Sequence, residues 1–438
     1  MRVLLSTIGS RGEVQPMLAL GLELARLGAE VRLCAPPDFR DLIGGFGLEF
    51  VPVGPEVSKA GAVRGAVPTL QERRDMIAGT VADQFEAVGA AAADCELLIG
   101  CGALQIAARS IAELRDIPYF YAAYAANTLP SEHLPPPPLG PGVDTTADNL
   151  TQWKQDADRW NALWAEPLNA RRTALGLTPV TDVRDHIFTD HPWLAADPVL
   201  GPWPEPADSD LTRSESRPSA AELAGSGVGL ADADPLPRDR QWGSGLDVWQ
   251  PGAWMLRDQR PLAAEIERFL AAGEPPVYFG FGSMHMAPET GRAALDAARA
   301  LGRRAVILRG WSGLNVRDDA TDCLVIGDVD HQALFPRVAA VVHHGGAGTT
   351  TAVACAGVPH VVVPQRFDQY YWADRVASLG IGFAHAPGEV TAATLVSALE
   401  DALAPETVMR ARELAPALRT DGATRAAQRI LSLAPNGS

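Results

Sequence analysis

The chain reads as an α/β protein made of two doubly wound parallel-sheet domains that face each other across a cleft. Three observations predict this class: a length beyond one hydrophobic core, two separate blocks of alternating strand-like and helical segments, and a glycine-rich turn after a strand-like run in each block. The 438 residues exceed what a single core usually serves. With 47% hydrophobic and 21% charged residues the composition is ordinarily globular, so both halves can bury sizeable cores.

The first block opens on Val3-Leu4-Leu5-Ser6-Thr7, a short apolar run suited to a strand buried on both faces. Residues 14–27 follow with a helical pattern, Gly28 stands where a helix C-cap glycine falls, and residues 31–35 make the next strand. Residues 97–100 predict a strand, 103–114 a helix and 119–122 another strand. This domain is assigned to residues 1–200. Residues 201–258 are assigned to an interdomain linker, because from 201 to 247 Pro, Gly, Ser, Asp and Glu displace aliphatics and no regular period survives. Alternation resumes at Val277-Tyr278-Phe279-Gly280-Phe281-Gly282-Ser283, and the second domain is assigned to residues 259–420. Residues 421–438 are expected to form a terminal helix that packs back on the first domain.

The most informative stretch is His343-His344-Gly345-Gly346-Ala347-Gly348-Thr349-Thr350, preceded by the apolar run 338–342 and followed by helix-compatible sequence from Thr349. Its glycines therefore sit in a strand-to-helix turn. There the backbone can approach a ligand closely, and the free N–H groups of the first helical turn favour an anion such as a pyrophosphate. A further strand over 360–363 leads through Pro364-Gln365-Arg366-Phe367 into Asp368-Gln369, which puts a carboxylate and an amide at the carboxyl edge where ligands of open parallel sheets bind. Read alone, the glycines could merely close a βα unit, and Asp368 could be a helix N-cap. In the first block, Gly9-Ser10-Arg11-Gly12-Glu13-Val14-Gln15-Pro16 follows the opening strand. The spacing is not GxGxxG, so a dinucleotide fingerprint is absent. Read alone, Glu13 is a first-turn acid favoured by the helix dipole.

Composition narrows the partners. A formal charge of -16 from 37 basic and 53 acidic residues argues against nucleic acid or an anionic membrane surface. Five cysteines, at 34, 95, 101, 323 and 355, include no CxxC pair, which points to reduced thiols in a cytoplasmic protein. No apolar run reaches the length of a membrane span. His285, His331 and His360 show no metal-ligand spacing, and no metal site is expected. No heptad pattern appears, which leaves the oligomeric state open; a monomer or weak dimer is the expectation.

From His344 to Gln369 the sequence resembles the donor-binding signature of family-one glycosyltransferases, enzymes of two Rossmann-like domains (the GT-B plan) that use a nucleotide-activated sugar. Residues 9–16 resemble the Gly-Ser-Arg-Gly-Asp-Val-x-Pro loop of bacterial glycosyltransferases that decorate antibiotic aglycones and of their sterol-glucosylating relatives, with Glu13 in place of aspartate. Residues 130–140, 189–198 and 252–254 resemble the glycopeptide-antibiotic glucosyltransferases of actinomycetes, while residues 204–248 look longer than in those relatives.

The resemblance implies an inverting transfer of a hexose or deoxyhexose from a UDP- or dTDP-sugar to a hydroxyl of a glycopeptide, polyketide or phenolic aglycone. Glu13 would be the base. Ser283, His344, Gly346, Gly348 and Thr349 would hold the pyrophosphate, with Ser10 and Arg11 closing over it, and Asp368 and Gln369 would hold the sugar hydroxyls; Arg11 could equally be a solvated surface residue. The donor is a co-substrate, with no resident cofactor or metal. The acceptor is expected on the first domain, against the loop 57–69, Tyr121, Tyr124, His133 and the Pro-rich stretch, since aromatic walls suit a flat phenolic or polyketide. Trp153, Trp160 and Trp164 share one helical face and are better read as packing residues. A nucleotide-sugar epimerase and a non-catalytic nucleotide-sugar-binding protein remain as alternatives.

Overall fold

The computed structural model describes the chain except for residues 61–68, 139–144, 205–245, 258–259, 285, 288, 312–313, 315, 317–319, 388 and 434–438. The first sheet is built from β1 (Arg2–Thr7), β2 (Glu30–Ala35), β3 (Glu49–Pro52), β4 (Leu97–Cys101), β5 (Tyr119–Ala123) and β6 (Trp193–Leu194). Its strands lie in the order β3-β2-β1-β4-β5-β6 and pair in parallel throughout. The second sheet holds β7 (Val277–Gly280), β8 (Ala305–Leu308), β9 (Cys323–Ile326), β10 (Ala340–His343), β11 (His360–Val362) and β12 (Gly382–Ala384), ordered β12-β11-β10-β7-β8-β9 and again all parallel. Counted from its own first strand, each sheet runs 3-2-1-4-5-6, the doubly wound order whose ligand crevice opens between strands 1 and 4. Those pairs are β1 with β4 and β7 with β10.

Strand β1 shows why the apolar runs are continuous. Val3 and Leu5 enter one buried cluster and Leu4 the cluster on the opposite face, because side chains alternate and helices cover both sides of the sheet. The helix Arg11–Arg26 starts at the N-cap Ser10 and buries Val14, Met17, Leu18 and Leu24. Gly28 follows with φ +93, the left-handed geometry that ends a helix at low cost in glycine. The helix expected over 103–114 is instead Ala108–Arg115. Gln84 explains the late start: its amide nitrogen donates to Leu104 O at 3.0 Å and its oxygen accepts from Ala107 N–H at 3.1 Å, so the backbone there bonds to a side chain rather than into a helical turn.

The final helix, Gly422–Ser432, buries Ala423, Ala426, Ala427 and Ile430 in the first domain's cluster, and Thr424 donates to Glu23 at 3.0 Å. To reach it the chain crosses the segment leading into the second domain. A Cβ on Gly422 would lie 2.3 Å from Gly252 O, so the crossing tolerates no side chain there. The fully buried Asp197 carboxylate accepts Val199 N–H, Leu200 N–H and Arg419 N–H at 2.7–2.9 Å.

Most of the linker expected over 201–258 lies outside the described residues, but its described ends are anchored. Gln250 donates to Ala196 O and Gly201 O and accepts from Trp203 N–H, and Trp254 is buried. The three tryptophans of the helix Asn149–Ala174 pack inward: Trp160 stacks on Trp164 at 6.1 Å, and the Arg184 guanidinium lies over Trp153 and Trp160.

Candidate functional site

On the first domain, the loop after β1 delivers Glu13 into the opening turn of the helix Arg11–Arg26. Ser10 caps that helix weakly, accepting from Gly12 N–H at 3.4 Å, and its hydroxyl donates to Glu13 Oε2 at 2.8 Å. Gly9 permits this arrangement, since a Cβ there would meet the Glu13 carboxyl carbon at 2.7 Å. Below, Tyr124 Oη–H donates to the Glu13 carbonyl at 3.0 Å, and Gly102, in the turn after β4, approaches its side chain. Two influences oppose each other at this carboxyl. Burial favours the protonated form, while the Ser10 hydroxyl and nearby backbone N–H groups favour the carboxylate; burial wins, and the pKa is raised.

On the second domain, the turns after β7 and β10 meet at His344. A Cβ on Gly282, which has φ +59, would stand 2.8 Å from its imidazole, and one on Gly346 would stand 2.6 Å away. The two glycines are therefore the walls of a slot for the ring. Burial pushes His344 down to about 4, with His331 adding to the effect, so the ring is neutral near pH 7. Its Nδ1 has no hydrogen-bond partner among the described residues. Gly346 supplies no side-chain cap to the helix Ala347–Cys355, which leaves the first-turn N–H groups, around exposed Gly348 and partly exposed Thr349, open to an anion. Ser283 sits in the adjoining turn, also partly exposed.

His343 is the packed strand residue that its place beside the motif leads one to expect, buried at the end of β10. Gly345 N–H donates to His343 Nδ1 at 3.1 Å. That fixes the proton on Nε2, which donates to His360 Nδ1 at 3.1 Å. Both rings are buried and neutral: burial holds His343 well below the usual histidine range, and His360 falls to about 3. The pair holds the glycine turn in shape.

After β11, Asp368 begins the helix Gln369–Ser378 without capping it through its side chain. The carboxylate instead accepts Trp372 Nε1–H at 3.2 Å. Burial, and then the charge of Glu13, push it up to about 7. Gln369 is differently engaged from what the sequence leads one to expect. It is buried, its oxygen accepts Gln365 N–H at 2.8 Å and Arg366 N–H at 3.2 Å, and its nitrogen donates to Met284 sulfur at 3.4 Å. In this structure the amide braces the loop rather than facing open space.

Arg11 reaches across to the second domain, pairing with Asp328 at 2.7 Å, and Asp328 also lies 3.4 Å from Arg260. Asp328 carries no sequence signal. The acceptor wall fares less evenly. Tyr121 is 2% exposed, with its ring 4.8 Å from Phe188, which makes it a core residue and not a lining one. Tyr124 lies beneath Glu13, and exposed His133 pairs with Glu132 at 3.4 Å. Part of the loop 57–69 lies outside the described residues. Among the described residues no cluster of His, Cys, Asp or Glu could hold a metal ion, and no helix is long and apolar enough to cross a membrane.

Residues 3–133 match the glycosyltransferase family 28 N-terminal domain, and residues 316–428 match the erythromycin biosynthesis protein CIII-like C-terminal domain. Over 434 residues the chain is 43% identical to the vancomycin aglycone glucosyltransferase of Amycolatopsis orientalis, covering 98% of this chain and 97% of that one. This chain belongs to that glycosyltransferase family. The dTDP-epi-vancosaminyltransferase of the same organism is 39% identical, with 94% and 92% coverage. In fold the glycosyltransferase resembles VinC solved with dTDP, at TM-score 0.64 and 19% identity with both chains fully covered, and the calicheamicin glycosyltransferase CalG4, at TM-score 0.65 and 18% identity with 99% of each covered.

Proposed function

We propose that this glycosyltransferase moves a hexose or deoxyhexose from a UDP- or dTDP-sugar to a hydroxyl of an antibiotic aglycone, with inversion, acting in the cytoplasm as a monomer or weak dimer. The observation that carries the reading is that the helix Arg11–Arg26, with Glu13 in its first turn, lies against the helix Ala347–Cys355 of the glycine turn, with Arg11 paired to Asp328 of the second domain. Relatives that act on a vancomycin aglycone and with a dTDP-linked sugar support the substrate classes. Free thiols at all five cysteines support the compartment.

In this mechanism the acceptor O–H gives its proton to the Glu13 carboxylate as its oxygen attacks the anomeric carbon. The bond from that carbon to the diphosphate oxygen breaks, and the nucleoside diphosphate leaves with the electron pair. Ser283, His344 and the N–H groups at Gly346, Gly348 and Thr349 meet the growing charge, so no metal is needed. Ser10 has a single hydroxyl proton, which now goes to Glu13; turning it to the phosphate frees the carboxylate for the acceptor. Arg11 exchanges Asp328 for the diphosphate, because an exposed ion pair contributes only about 0–1 kcal/mol. Asp368 holds sugar hydroxyls, and Gln369 joins it only by releasing the loop.

A thermal-shift screen with UDP, dTDP and their glucose adducts, followed by transfer to a panel of aglycones, tests the proposal. One nucleotide raises the melting temperature by mass action, and donor is consumed chiefly when an aglycone is present. Donor epimerised without acceptor, or bound without turnover across the panel, contradicts it.

A further inference from the structure

The loop 364–368 carries an aromatic ring in an unusual setting. Phe367 has φ +56, one of three positive-φ residues other than glycine among those described. Asp116, another of the three, ends a helix in the left-handed region, a conformation its short polar side chain tolerates; a bulky phenylalanine seldom adopts it. The conformation is over-determined by its surroundings. Gln369 accepts both Gln365 N–H and Arg366 N–H, Gln369 N–H donates to Arg366 O at 3.3 Å, and Tyr370 Oη–H donates to Gln365 O at 3.2 Å.

All this bracing does not bury the ring. Phe367 remains 49% exposed, with the Arg366 guanidinium 5.7 Å from its centroid. A backbone held in a disfavoured well to keep an apolar ring in water is a feature that stability alone does not select. Its position is equally specific: it precedes Asp368 at the start of the helix Gln369–Ser378, whose first residue lies against the glycine turn, since a Cβ on Gly345 would stand 3.0 Å from Gln369 O. The acceptor hydroxyl must arrive between Glu13 and the sugar.

We infer that Phe367 is a specificity-determining residue for the acceptor: an aromatic platform supplied by the donor domain, on which a flat aromatic group of the aglycone stacks. This rests on the transferase reading above and extends it, since the acceptor site then includes both domains rather than the first alone. Aromatic aglycones gain from it, and the donor does not.

The test compares the full-length wild type with Phe367→Gly, Phe367→Leu and Phe367→Trp, using vancomycin aglycone and a hydroxycoumarin as acceptors. Hydrolysis of the sugar donor by water serves as the acceptor-free reference. Glycine suits the positive φ, so Phe367→Gly keeps the loop and the melting temperature while it removes the ring. The expected result is an acceptor KM raised roughly three- to tenfold in the Gly and Leu variants, the range for losing one aromatic pair. Phe367→Trp retains the wild-type KM, and donor KM and donor hydrolysis do not change. An unchanged acceptor KM in Phe367→Gly, or a donor KM that rises in parallel, overturns the inference while leaving the transferase reading intact. A wild type that transfers sugar to no aglycone removes that reading, and the inference with it.

Discussion

Glu13→Gln lowers turnover by roughly a hundred- to ten-thousand-fold, the range expected on losing a positioned general base. Glutamine keeps the length of the side chain and an oxygen to accept the Ser10 hydroxyl, now at 2.8 Å, so the fold and the helix start survive while basicity is lost. Affinity for the nucleoside diphosphate changes little, because the amide and imidazole donors lie on the other domain. Steady-state kinetics with saturating donor, alongside diphosphate titration of the same variant, separate the two effects. The raised pKa of Glu13 adds a sign: the base is lost as pH falls through a value above the usual carboxylate range, so wild-type kcat/KM declines on the acid side earlier than an exposed glutamate would dictate. Glu13→Asp measures the departure from the family's aspartate. If the shorter carboxylate works as well, the methylene is neutral; if it works much worse, the acceptor lies about one methylene further out. Near-normal turnover in Glu13→Gln would move the base elsewhere, to the acceptor's own acidic phenol in the first instance.

His344→Ala lowers turnover by a factor on the order of a hundred, as when one donor to a developing oxyanion is removed. The ring is neutral, with a pKa of about 4, and wedged between Gly282 and Gly346, so it can offer a hydrogen bond without first losing charge and without reorganising. Turnover at saturating donor is the measurement that matters, since a pure ground-state loss would raise KM alone. A wild-type rate under those conditions returns His344 to a packing role.

Much of this was legible from residue order. Continuous apolar runs such as 3–7 and 338–342 announce parallel strands buried on both faces, and a glycine-rich turn before a helix announces an anion site. Both signals are local, and the strands and the helix they predict appear in the structure as β1, β10 and Ala347–Cys355. What the sequence does not carry is which distant groups meet. Nothing in its local pattern connects Arg11 to Asp328, separated by 317 positions, or tells that Gln369 spends its amide on Gln365 and Arg366. Tyr121 illustrates the same limit: an aromatic in a strand fits a ligand wall or a core equally well, and only the packing of Phe188 against it decides for the core. The first-domain helix expected over 103–114 starts only at Ala108 for a related reason, because Gln84, from another element, captures its expected first turn.

The stereochemistry of transfer tests the central claim most directly. If Glu13 acts as a base for one displacement, the acceptor attacks from the face opposite the leaving diphosphate. An α-linked nucleotide sugar then yields a β-glycoside. The anomeric proton coupling of the product formed early in the wild-type reaction, read by NMR before any rearrangement, gives the answer. Inversion is the expected result. Retention contradicts it, because it requires two displacements or a front-face route, and Glu13 could not then serve as a simple base between acceptor and sugar.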